Sequence, residues 1–71
     1  MSRGIEEKVH KTIANAKKPI DPEKIAKELG IGWGTALRYA LELVLANKVK
    51  GLKTSKSWIF WVNHSDTQGG D

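Results

Sequence analysis

Between Asp21 and Val62 the chain carries punctuation that leaves few ways to fold. Asp21 can accept from the free N–H groups of a helix start, Pro22 fits the first helical position where a missing N–H costs nothing, and Gly30 can take the left-handed conformation that ends a helix. Ile25, Ala26 and Leu29 give that helix an inward face. Directly after a tight, glycine-containing turn comes a leucine- and alanine-rich helix from about Trp33 or Gly34 to Ala46, with Asn47 placed as its left-handed cap. The β-prone segments 49–52 and 58–62 then flank a polar turn, Lys53-Thr-Ser-Lys56, and form a hairpin. The second of these helices is thus held outward, with a charged hairpin beside it.

Upstream, Ile5, Val9, Ile13 and Ala16 repeat at spacings of four and three, which predicts a helix from about Arg3 to Lys17 with one apolar stripe. Ser2 is expected to cap it, with Glu6 and Glu7 near its positive end, and Pro19 to stop it, leaving Lys18 to Ile20 as a short extended link. The whole chain is 71 residues, enough for one domain and one modest core. That domain is expected over 3–62, while residues 63–71 contain nothing to bury and read as a disordered tail.

The net charge is +4 with a pI near 9.6, and its distribution matters more than its size. Lys48, Lys50, Lys53 and Lys56 fall in one nine-residue stretch free of Asp and Glu, whereas six of the eight acids lie between Glu6 and Glu42. Positive charge is therefore concentrated on the hairpin. With no cysteine there is neither a disulfide framework nor a thiolate metal site, so stability must come from apolar packing. The N-terminal segment has no signal-like apolar stretch, and no run approaches the roughly 20 apolar residues of a membrane span. A cytoplasmic protein is expected.

The segments Ile25-Ala-Lys-Glu-Leu-Gly30, Thr35-Ala-Leu-Arg-Tyr-Ala-Leu-Glu-Leu-Val44 and Asn47-Lys-Val49 resemble the winged helix-turn-helix family, in particular its small archaeal and viral DNA-binding members. The resemblance spans about residues 5–62. It implies an α+β fold of three helices, with a short strand between the first two and a C-terminal β-hairpin wing. It also implies that double-stranded DNA is the partner, with the third helix in the major groove and the wing on the backbone.

The residues support that placement in their own chemistry. If Ala36 and Ala40 face the core, Thr35 and Arg38 face outward; the hydroxyl suits a phosphate, and the guanidinium can reach guanine O6 and N7 together. Trp33 and Gly34 open the same helix, and Tyr39 offers a ring for packing and a hydroxyl for a phosphate. On the wing, Lys50, Lys53 and Lys56 would neutralise phosphates, while Thr54 and Ser55 allow close approach at the tip. Lys17 and Lys18 are weaker candidates for the flanking backbone. The same features also fit a solvated helix face and a hairpin guarded by lysines against edge pairing.

Two further features bear on partners. Trp33, Leu37, Leu41 and Leu45 make a second apolar stripe on the third helix, roughly 100° around from the first, more than a small core readily covers. A homodimer through these four residues is expected, or else a protein-interaction module using the Trp/Leu face. Trp58, Phe60 and Trp61 are expected to pack rather than to stack on single strands, strand alternation sending Trp58 and Phe60 to one side and Ile59 with Trp61 to the other. Nothing suggests an enzyme, cofactor or metal: His10 and His64 stand alone, and Gly30-Ile-Gly-Trp-Gly34 lacks the strand and Lys-Ser/Thr of a phosphate-binding loop. The expected role is transcriptional regulation or chromosome organisation.

Overall fold

The computed structural model describes residues 2–62. The expected tail at 63–71, with His64, lies outside the described residues. Three helices, α1 (Ser2–Asn15), α2 (Pro22–Leu29) and α3 (Trp33–Leu45), precede two strands, β1 (Lys50–Lys53) and β2 (Trp58–Trp61), which pair antiparallel. The result is a small α+β domain of winged-helix-like arrangement.

The α1 stripe packs as its period predicts: Val9 and Ile13 are fully buried, while Ile5 lies half-buried against the same core. Its ends differ from expectation. The helix already includes Ser2, so Ser2 is not a residue preceding it, and Glu6 and Glu7 fall beyond the first turn, where the helix dipole is weak. It also stops at Asn15 rather than Lys17. The Ala16 N–H closes a tight three-residue bond of 3.3 Å to the Ile13 carbonyl, and the chain bends at Lys17 and Lys18 ahead of Pro19.

The link after α1 contains the expected short strand, reduced to one residue. The Ile20 N–H donates to the Phe60 carbonyl at 3.0 Å and the Phe60 N–H to the Ile20 carbonyl at 2.8 Å, so Ile20 bridges the free side of β2. Asp21 caps α2 by accepting from the Lys24 N–H at 2.9 Å, and Pro22 follows at the first helical position. At the other end Gly30 adopts φ 67°, with its N–H and that of Ile31 both directed to the Ala26 carbonyl. This reversal sets α3 across α2.

Asn47 ends the α3 segment at φ 61°, and the Lys48 N–H returns to the Leu43 carbonyl at 2.9 Å. Buried Val49 then leads into β1, which begins one residue later than expected. The turn is also displaced. Lys53 belongs to the strand, paired with Trp58, and the reversal is Thr54–Ser57, closed by the Thr54 N–H on the Ser57 carbonyl at 2.7 Å. The cause is the Thr54 hydroxyl, whose oxygen accepts from the N–H groups of both Lys56 and Ser57.

The core joins Val9, Ile13, Ile25, Ala26, Ala36, Ala40, Leu43, Val49 and Phe60. The small Ala36 and Ala40 let α3 approach its neighbours closely, and Phe60 fastens the hairpin to the helices. Among the described residues no helix is long and apolar enough to cross a membrane.

Candidate nucleic-acid interface

Burial of Ala36, Ala40 and Leu43 fixes the rotation of α3 and turns Gly34, Thr35, Arg38 and Glu42 to solvent. Thr35 and Arg38 therefore share the exposed side, as their spacing predicts. Tyr39 lies half-buried against the core, leaving it between structural and surface roles. Gly32 precedes α3 in extended conformation with no side-chain cap, so the first N–H groups of this helix stay open to an anion. Trp33 stands beside them, 49% exposed. A methyl group built at Gly34 would meet nothing within 4 Å, so this glycine leaves the surface flat and accessible.

The Arg38 guanidinium is not unpaired. Its Nε lies 3.7 Å from Glu42 Oε2, one helical turn on, with the Arg38 side chain 77% exposed. An exposed pair of this length contributes little stability. It does put a carboxylate beside the expected base-reading group, and Glu42 played no part in the sequence-based assignment.

The hairpin register sorts the wing residues by face. Directly paired residues share a face, so Lys50 with Trp61 and Leu52 with Ile59 lie on one side, and Gly51 with Phe60 and Lys53 with Trp58 on the other. Phe60 is fully buried, which makes the second side the one turned to the helices. Trp58 packs there too, its ring stacked on Phe60 with centroids 6.1 Å apart. The strand alternation of the aromatic residues is thus as expected. The lysines, by contrast, divide: Lys53 emerges on the helix side and Lys50 on the outer side beside Leu52, Ile59 and Trp61. Ser55 and Lys56 are exposed in the turn, and Thr54 uses its oxygen to build the turn while its proton stays available to a phosphate.

The second apolar stripe of α3 also divides. Leu37 and Leu41 are half-buried against the core, whereas Trp33 and Leu45 are exposed. Elsewhere, a groove of about 380 Å³ between α1 and α2 is edged by Lys8, Lys11 and Lys24, with Glu28 beside them. These lysines belong to no sequence motif, being spread over two helices, and only folding assembles them. Lys17 and Lys18 are exposed at the bend that follows α1. Among the described residues no group of three His, Cys, Asp or Glu residues could hold a metal ion.

From Leu29 to Val62 the charged residues are Arg38, Lys48, Lys50, Lys53 and Lys56 on one hand and Glu42 on the other. The half of the chain that forms α3 and the hairpin thus carries five basic residues and one acid, while Glu6 and Glu7 of α1 line a cavity together with its Lys48. Compared with known proteins, the chain matches no family model, no curated protein and no solved structure.

Proposed function

We propose that this protein is a winged helix-turn-helix module that binds double-stranded DNA, inserting α3 into the major groove and resting the β1–β2 wing on the adjacent backbone. The observation that carries the reading is the combination of one exposed helix face, Thr35 and Arg38, with a hairpin whose exposed lysines have no acid among them. Arg38 is assigned to a guanine edge, Thr35 and the open N–H groups around Trp33 and Gly34 to a phosphate, and Lys53, Lys56 and the turn hydroxyls to the neighbouring sugar-phosphate chain. The role is non-enzymatic, in the regulation of transcription or the organisation of a chromosome within the cytoplasm. The deciding experiment is the salt dependence of duplex binding. Three or four phosphate contacts give a slope of log K against log salt of about −3. A slope near zero, or no duplex binding, would reject the reading.

A second reading is favoured by the apolar residues left at the surface: Trp33, Leu45 and Leu52 are 49%, 83% and 55% exposed. A protein-interaction module would use these and leave the lysines as solvating groups. Its binding would barely respond to salt and would show the negative heat-capacity change of apolar burial.

A further inference from the structure

The place of Glu42 one turn after Arg38 gains little from their pairing. An i,i+4 ion pair is weaker with its cation on the N-terminal side, which is the order of Arg38 and Glu42. The helix dipole opposes the carboxylate as well, since Glu42 sits in the last turn of α3. For general attraction to phosphates, too, the residue is misplaced, being the only acid from Leu29 to Val62 and lying on the basic, solvent-facing side of α3. What a carboxylate does offer is an acceptor without a donor. In the major groove only the exocyclic amines of cytosine and adenine can satisfy it, whereas guanine O6 and N7 and thymine O4 repel it.

Resting on the DNA-binding reading above, we infer that Glu42 is the specificity-determining residue of this interface and accepts a hydrogen bond from a cytosine or adenine amino group near the guanine read by Arg38. Four residues advance about 6 Å along a helix, so the two side chains reach base pairs one or two steps apart at about 3.4 Å per step. Away from such a site the carboxylate faces acceptors and phosphates, and Arg38 remains on Glu42. At the site the carboxylate takes the base amine as its partner, and the guanidinium is released to guanine. The pair thereby penalises random sequence and rewards one short arrangement of bases.

The test is Glu42→Gln, which keeps the side-chain shape and removes the charge, compared with wild type on the sequence that wild type selects from random duplexes and on a scrambled duplex. The variant is expected to bind the scrambled duplex about threefold or more tightly, because one repulsive charge is gone. The ratio of selected to scrambled affinity should fall by about tenfold. Preference should relax at a base pair one or two steps from the pair relaxed by Arg38→Ala. Glu42→Ala, with no acceptor at all, should lose the same preference, and both variants should melt as wild type does. An unchanged affinity ratio overturns the proposal, as does an equal change on both duplexes. Wild type that binds DNA but enriches no sequence overturns it while leaving DNA binding intact, and wild type that binds no duplex removes both.

Discussion

Gly51 governs how closely the wing can lie on the helices. A Cβ at this position would stand 2.9 Å from Val44 Cγ2, closer than real Cβ atoms come, and 3.0 Å from two ring carbons of Phe60, close enough that the ring must shift by a few tenths of an ångström. Phe60 is fully buried and Val44 has a short, stiff side chain, so neither can step aside freely. Gly51→Ala is therefore expected to destabilise the fold by about 1–3 kcal/mol through overpacking, measured by chemical denaturation, and a variant as stable as wild type would show that Val44 yields. Arg38 is the opposite case. With its side chain largely in solvent, Arg38→Ala should leave the unfolding midpoint nearly unchanged yet cost about 1–3 kcal/mol at a preferred duplex and relax one base pair. Equal losses on preferred and random duplexes would make Arg38 a phosphate contact instead.

At the scale of elements, legibility in the sequence followed the strength of local signals. The ends of α2 were readable because Asp21, Pro22 and Gly30 each have one favoured place at a helix terminus, and Asn47 was readable for the same reason. The end of α1 was not, because Pro19 forbids a helical Lys18 without saying how many residues unwind before it. The turn was misplaced by one residue because the bonds of the Thr54 hydroxyl to two N–H groups outweigh the simple clustering of polar residues. In the candidate site, the exposure of Thr35 and Arg38 was readable from the burial of two alanines. Glu42 carries no signal in the sequence, where a lone acid on a helix reads as a solvated residue, and neither does Gly51, whose meaning depends on Val44 and Phe60 across the fold. Counting charge also merged lysines that the strand separates. Lys53 shares a face with Phe60 and Lys50 does not, which makes the two unequal. Lys53→Ala should reduce the salt slope of duplex binding by about one unit, and Lys50→Ala should leave it nearly unchanged. Equal reductions would mean that DNA contacts both faces of the wing.

For the whole molecule, the decisive quantity is the apolar surface that one copy leaves uncovered. Each i,i+4 step advances about 40° around a helix, so the series Trp33, Leu37, Leu41, Leu45 winds away from the core face of α3 and ends with Leu45 opposite it. This is why Leu37 and Leu41 still find partial cover in the core while Leu45 remains 83% exposed; Trp33, nearest the core face by angle, is 49% exposed as the first residue of the helix. The homodimer we propose must accordingly be held chiefly by the C-terminal end of α3, with Leu45 at its centre, and not by the stripe as a unit. Sedimentation at high micromolar concentration should find wild type associated and Leu45→Glu monomeric, because the substitution places an unpaired charge in the interface. The two should unfold alike once dissociated, since Leu45 contributes almost nothing to the monomer core; Leu41→Glu would not separate these effects, as Leu41 packs against that core. Leu45 stands about two turns beyond Arg38 on the same exposed side of α3, so association through Leu45 and duplex binding by α3 are competing uses of one face, and added duplex should dissociate the wild-type dimer in the same sedimentation experiment. A monomeric wild type at that concentration would exclude the dimer and leave Leu45 available to a different protein.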